Sequence, residues 1–375
     1  MARSYLDHAS TSPLRPGALA AMVEWLERSS RGEVGDPGRM HREAMVARAA
    51  IEGAREQVAD LVGARPREVV FCSGASEAIA MACWGASAAR GPHSALCAVE
   101  HSAVREWAER GPQSIVGVDR GGRLDADELA AAIEESTGLV HVQFGNHEVG
   151  TTQPVVDVAS RCRDRGVLCH VDAAQAVGRV SLSFSAMGVD LMSVSAHKFG
   201  GPVGIGALIV RRGVRLPPLV VGGDQERARR AGLENIASII GFGAAAAEVQ
   251  QSLAAEEAEA RRLSERVLAW ADATDGVAML GSREHRLPHI VCLGIEGVEP
   301  QPVLIGLDAV GVAVHSGSSC SSEALEPSPV LEAMGVDAHR SLRISVGWST
   351  TDADIDRLLT ELPRVISELK TLGGR

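Results

Sequence analysis

The stretch "SVSAHKFGGPVGIG", Ser193 to Gly206, places Lys198 at the end of an apolar run, with His197 before it and glycines after it. Burying a lysine is costly unless its amine is paired or used chemically. A desolvated amine can lose its proton and then serve as a base or form a Schiff base; in water it is an ordinary strand-end cation. One apolar run earlier, "HVDAAQAVG" carries Asp172. By itself Asp172 fits a helix N-cap. Beside Lys198 it fits the carboxylate that faces the pyridinium nitrogen in pyridoxal phosphate enzymes, and the pair points to that cofactor. A phosphate also needs a cradle. "CSGASEA" offers Gly74 for close backbone approach, then the first N–H groups of a helix from Ala75 and the hydroxyl of Ser76. Serine caps helices widely, so this turn is weak evidence alone. His101, in "EHSAV", is either structural or a ring-stacking group that moves protons near neutral pH. Last, "AVHSGSSCSSEAL" sets Cys320 among serines and glycine, an unusual place for a residue type that is mostly buried.

The elements that must hold these residues follow one rule. "VVFC" leads into "SGASEA", "ALCAVE" into "HSAV", "LVHVQF" into "GNHEVG", "VLCHV" into "DAAQAVG" and "LMSVS" into "AHKFGGPVGIG". The near-continuous apolar runs predict parallel strands buried on both faces. Helical segments separate several of them, including "LDADELAAAIEES" and "VVDVASRCRDRG", and residues 41–63 also read as a helix. Ligands of an open parallel sheet bind outside the carboxyl ends of its strands, where all five polar clusters fall. Residues 244–270 read as a long Ala- and Glu-rich helix leading to a C-terminal domain that holds "HIVCLGI", the serine-rich loop and "SLRISVG". The segment Ser316 to Pro329 is expected to be the most flexible.

At 375 residues the chain is long enough for a large domain and a smaller one. A net charge of -11 argues against direct nucleic-acid binding. No stretch approaches a membrane span and the first residues lack an apolar signal core, so a cytoplasmic location is expected. The seven cysteines are odd in number and form no CxxC, which suits a reducing compartment and argues against a structural metal. Apart from Cys320, they sit in apolar runs and read as small buried hydrophobes.

These motifs, with "YLDHAST", "GDPGRMH", "GGDQERARRAG" and "LRISVG", agree in order and spacing along nearly the whole chain with the cysteine desulfurases. The chain resembles that branch of the class V aminotransferase-like enzymes, in the subgroup with a longer loop after the cysteine. The resemblance implies an α/β fold-type I transferase: a large, mainly parallel-sheet domain over 15–250, and a small domain from 1–14 and 251–375. It implies that Lys198 carries pyridoxal 5'-phosphate as a Schiff base, Asp172 pairs with the ring nitrogen and Gln175 with the ring hydroxyl. Ala75, Ser76, Ser195 and His197 would hold the phosphate, and His101 would stack on the ring and manage protons at sulfur. Asn146 and Arg343 would bind the substrate carboxylate; a guanidinium fork matches one bidentately, although Arg343 alone fits a surface ion pair. Lys198 would remove the Cα proton of L-cysteine and Cys320 would attack the sulfur, leaving alanine and a persulfide. A homodimer and a sulfur-acceptor protein are implied as partners, with iron–sulfur assembly, tRNA thiolation and DNA sulfur modification as possible destinations.

Three positions depart from the family pattern. Leu233 replaces the threonine that reaches the phosphate across the dimer, which removes one expected contact. Ser76 stands for threonine and keeps the hydroxyl. His147 replaces the second asparagine of Asn-Asn-Glu. Selenocysteine lyase, cysteine sulfinate desulfinase, a true aminotransferase and a cofactor-binding scaffold without turnover remain alternatives at this stage.

Overall fold

The computed structural model describes residues 3–316 and 327–373. In chain order the elements are β1 (Ser4–Tyr5), α1 (Pro16–Ser30), α2 (Arg42–Val62), β2 (Val69–Cys72), α3 (Ala75–Ala89), β3 (His93–Cys97), α4 (Ser102–Ala108), β4 (Gln113–Val116) and α5 (Ala126–Ala131). Then follow β5 (Thr137–Gln143), α6 (Val155–Arg165), β6 (Leu168–Asp172), α7 (Phe184–Met187), β7 (Leu191–Ser195), β8 (Gly206–Val210), α8 (Gln225–Ala228) and α9 (Ile236–Asp272). The chain ends with β9 (Val277–Leu280), β10 (Ile290–Ile295), α10 (Pro300–Ala309), β11 (Val312–Ala313), α11 (Pro329–Ala333), β12 (Ser341–Ser345) and α12 (Asp352–Gly373).

The apolar runs become strands because they can be buried on both faces. Every residue of β2, β5, β6, β7 and β8 is buried. They belong to a seven-stranded sheet in the order β2-β8-β7-β6-β5-β3-β4. Only β8 runs against its neighbours, pairing antiparallel with both β2 and β7. The other six strands therefore point their carboxyl ends to one edge. A second sheet, β12-β10-β9, is antiparallel, and β1 pairs with β11. The bridge Asp7–Ser345 ties the N-terminal segment to β12.

One helix serves two cores. Ile239, Phe242, Ala245, Ala246 and Val249 of α9 pack into the core of the large sheet. Further along the same helix, Ala260, Leu263, Val267, Leu268 and Ala271 pack into the core around β10 and β12. The residue-250 boundary expected from sequence falls inside this unbroken helix. α9 also begins earlier than the expected residue 244, where the Asn235 side chain accepts a hydrogen bond from Ser238 N at 3.3 Å. The helix expected over "LDADELAAAIEES" shrinks to Ala126–Ala131: Asp125 caps its start, and the Thr137 hydroxyl accepts from Glu134 N as the chain turns into β5. Residues 317–326 of the segment expected to be flexible, Cys320 among them, lie outside the described residues.

Two contacts fix the sheet edge where β7 and β8 meet the α3 turn. A Cβ on Gly206 would lie 2.4 Å from Val194 O and 2.7 Å from Gly74 Cα, so only glycine lets β8 pass behind the start of α3. The segment Glu226–Ala228 has positive φ at three non-glycine residues, an unfavourable conformation. It is held by the buried Glu226 carboxylate, which accepts from Arg55 Nη1 and Nη2 at 2.7 and 2.8 Å and from Phe71 N at 2.9 Å. Arg230, just beyond, reaches Glu77 in the first turn of α3 at 2.9 Å.

Candidate active site

The five polar clusters converge. A cavity of about 340 Å³ opens at the carboxyl edge of the large sheet. Ala75, Ser76, His101, Asp172, Gln175, Ser195, His197 and Lys198 all line it. These are the eight residues expected at the cofactor. Asn146 and Arg343 are not on its lining.

Lys198 sits in a single 3-10 turn, Ala196–Phe199, that follows β7 directly. Gly200 ends this turn at φ 93, where a Cβ would strike Arg15 Cγ at 2.6 Å. Lys198 Nζ donates to Ala9 O at 2.7 Å and Ser10 O at 3.0 Å, which brings the N-terminal segment over the site. Asp172 ends β6 and stands in register with Gln143 of β5 and Ser193 of β7. Its Oδ1 accepts from Ser193 Oγ at 2.8 Å and Ala174 N at 3.1 Å, so the carboxylate is aimed before any ligand arrives. Gln175 Nε2 donates to Ala9 O at 2.8 Å.

Across the cavity, α3 begins at Gly74, which has no side chain to cap it. The first-turn N–H groups of this 15-residue helix form a ready anion cradle. Ser73 N donates to Glu77 Oε2 at 2.7 Å, which shapes the turn. His197 is held well below the ordinary imidazole value, at about 4, by burial and by the Lys198 charge. It is neutral at physiological pH and contacts Thr11 Oγ1 at 3.1 Å. His101 caps α4: its Nδ1 accepts from Ala103 N at 3.1 Å, which assigns the neutral ring's proton to Nε2.

The two residues expected at the substrate carboxylate fare differently. Asn146 is fully buried. Its Oδ1 accepts from Glu148 N and Val149 N, both at 2.8 Å, and its Nδ2 donates to Val99 O at 3.1 Å. The amide thus builds the turn after β5. Arg343, 1% exposed, already holds a carboxylate: its Nη2 donates to Asp7 Oδ1 at 2.9 Å and Ser10 Oγ at 2.7 Å, and its Nη1 to His147 O at 2.7 Å. Sequence reasoning missed Asp7, Gln143 and Glu148 as parts of this arrangement. Gln143 was findable, because it is the polar residue near the end of the run "LVHVQF" and lies beside Asp172 where β5 and β6 pair.

The cysteines follow expectation where they are described. Six are free and buried. Burial pushes the Cys72 and Cys83 thiols up to about 12 and raises Cys97 and Cys292 as well, so these four stay protonated and unreactive.

Burial also sets the pH response of folding. His8 and His141 are lowered to about 3 and His197 to about 4, and His170 and His289 lie well below the ordinary 6.5; burial is the main cause in each. Below pH 6.5 the unfolded chain takes protons that these folded imidazoles refuse, so stability falls with acid. Glu100 is raised to about 8 by burial and by Asp172, and Glu148 to about 7 by burial. The folded chain keeps those two protons where the unfolded chain, with a carboxyl value of 4.5, releases them, so stability falls as pH rises toward 8. The imidazoles outnumber the carboxyls below 6.5, and the carboxyls act alone above it. Urea midpoints are expected to peak near pH 6.5; a midpoint still climbing at pH 8 would contradict this assignment.

A lysine turn and a facing aspartate thus lie at the carboxyl edge of a mainly parallel sheet, opposite an uncapped helix start. The aminotransferase class-V family profile matches residues 4–358. The cysteine desulfurase IscS of Dictyoglomus turgidum is 38% identical over 98% of this chain and 96% of its own length. A cysteine desulfurase of Enterobacter agglomerans is 39% identical over 100% and 95%. Among solved structures, a NifS-like protein superposes with a TM-score of 0.90 at 29% identity, covering 98% of this chain and 100% of that one. A chain described as SspA in complex with cysteine superposes at 0.81 with 29% identity, covering 93% and 100%. The chain belongs to the cysteine desulfurases of this class.

Proposed function

We propose that the cavity at Lys198 binds pyridoxal 5'-phosphate, that its substrate is L-cysteine, and that the sulfur leaves as a persulfide on Cys320 for an acceptor protein. The observation that carries this reading is the convergence of Lys198, Asp172 and the uncapped start of α3 on one cavity. The donor set fits the cofactor: an amine, a fixed carboxylate for a ring nitrogen, and backbone N–H groups with Ser76 and Ser195 for a phosphate. The solved cysteine complex of a relative supports the substrate. A homodimer suits the exposed apolar side chains of Met40, Val203, Val221 and Leu233. No helix among the described residues is long and apolar enough to cross a membrane.

When bound, pyridoxal phosphate supplies the electron sink that lets the substrate's Cα proton leave. The side chains do the rest. Lys198 Nζ takes the Cα proton, close to the Ala9 and Ser10 carbonyls that hold it here. Asp172, fixed by Ser193 Oγ and Ala174 N, would face the ring nitrogen. His197, neutral, would add a hydrogen bond to the phosphate without a charge. Arg343 receives the substrate carboxylate on the fork that now holds Asp7.

The net reaction needs no outside redox partner. Of the two thiols, substrate and Cys320, one loses its proton; the S–S bond forms, the C–S bond breaks, and the carbon that lost sulfur gains a proton to become the methyl of alanine. Carbon is reduced as sulfur is oxidised. The test is alanine and sulfide release from L-cysteine with a thiol reductant. Wild type is expected to release both and Cys320→Ala neither. A wild type that makes no alanine, or a Cys320→Ala variant with full activity, would overturn the reading.

A further inference from the structure

Four side chains expected to hold ligands are engaged instead by one short stretch of the protein, residues 7–11, between β1 and α1. Lys198 Nζ donates to Ala9 O at 2.7 Å and Ser10 O at 3.0 Å. Gln175 Nε2 donates to the same Ala9 O at 2.8 Å. The His197 ring meets Thr11 Oγ1 at 3.1 Å. Arg343 Nη2 donates to Asp7 Oδ1 and Ser10 Oγ. The stretch is also linked within itself, since Ser10 Oγ donates to Asp7 Oδ1 at 2.9 Å.

These bonds cannot all survive in a loaded site. When a lysine ammonium condenses with the cofactor's aldehyde, a C=N bond forms and the aldehyde oxygen leaves as water with two of the three ammonium hydrogens. The nitrogen keeps at most one N–H, so the bond to Ala9 O or to Ser10 O is lost. Gln175, turned toward a ring hydroxyl, draws a second donor from Ala9 O. Ala9 is buried, and a buried carbonyl without a donor is unfavourable. The stretch must shift, and a shift at Ser10 reaches Asp7 and the Arg343 fork directly.

We propose that residues 7–11 form a strap that occupies the unloaded site and gives way in two steps: cofactor loading takes Lys198 and Gln175 from it, and the substrate carboxylate then takes Arg343. The inference rests on the cofactor and substrate reading above. One element thereby links two ligands, and loading makes the fork easier for a carboxylate to win. In the unloaded chain the strap satisfies buried donors that would otherwise lack their ligands.

Tyr5, the only tyrosine of the chain, is a built-in reporter. It ends β1, paired with Ala313, and its hydroxyl lies 2.8 Å from Thr11 O and 3.2 Å from Asp7 O, at the two ends of the strap. Fluorotyrosine labelling therefore gives a single fluorine NMR signal. In the wild type this signal is expected to move by more than its linewidth when pyridoxal phosphate is added, and again when L-alanine follows. In Lys198→Ala the cofactor-free signal is expected to start displaced toward the loaded wild-type position, and the cofactor to move it less. If that variant does not fold, amide exchange in residues 5–12 of the wild type decides, with an expected acceleration of about tenfold on loading. A wild-type signal that stays in place on loading, exchange that does not accelerate, or a Lys198→Ala signal that makes the full wild-type change would overturn the proposal. A wild type that takes up no cofactor, seen as no new absorbance band, would instead overturn the cofactor reading.

Discussion

Lys198→Ala is expected to reduce alanine formation by about 10⁴-fold, the upper end of what one acid–base group contributes, while leaving the fold intact. The size follows from position. Lys198 lies on a one-turn helix whose neighbours are fixed by Gly200, by the Arg15 Nε bond to Phe199 O at 2.8 Å, and by the Arg179 Nη2 bond to Lys198 O at 2.6 Å. The backbone of the turn is therefore held by partners that the substitution does not touch, and the fold should survive the loss of the two Nζ bonds to the Ala9 and Ser10 carbonyls with a modest fall in melting temperature. Only the amine goes, and no other lysine lines the cavity. Borohydride reduction of the cofactor-loaded protein should label wild type and not the variant. A Lys198→Ala protein with more than about a hundredth of wild-type activity would move the base elsewhere.

Arg343→Ala is expected to act twice. Removing one partner of a buried ion pair costs about 3–5 kcal/mol of stability, because Asp7 is left without its cation. Removing the fork costs about 2–5 kcal/mol of carboxylate binding, so KM for cysteine should rise by about thirtyfold or more with a smaller change in kcat. Arg343→Lys separates the effects: the charge stays beside Asp7, stability largely recovers, and the bidentate geometry is lost, so KM stays raised. Steady-state kinetics beside thermal melts would check both variants. A KM equal to wild type in Arg343→Lys would reduce Arg343 to a counter-ion for Asp7.

Much of this site is legible in the sequence because its residues sit where strands stop. A run such as "LMSVS" or "VLCHV" declares a buried parallel strand, and the next residue must then lie at the sheet edge. Lys198, Asp172, Ser76 and His101 reach one cavity for that reason. Contacts between distant segments leave no such trace. Nothing in "YLDHAST" tells that Asp7 lies on Arg343, 336 residues away, or that Ser328 caps α11 and holds Glu148 as well. The local role of Asn146, which the family resemblance implies at the substrate carboxylate, was hidden in the same way: its side chain accepts from backbone N–H groups of its own turn. The reversal of β8 was also hidden, since a fully apolar strand reads the same in either direction.

The internal carboxylate on Arg343 has a bearing on turnover. Asp7 is tethered by its bridge to β12 and meets the fork at an effective concentration on the order of millimolar or above. On the proposed assignment, cysteine enters by exchange: its carboxylate takes over a hydrogen-bond partner that the protein was already supplying. The fork is then never left as a bare cation between one substrate and the next. Alanine, which offers the same carboxylate and no thiol, meets the same resident competitor on its way out. Asp7 thus weakens ground-state binding of reactant and product alike, which keeps the site from being clogged by what it has just made.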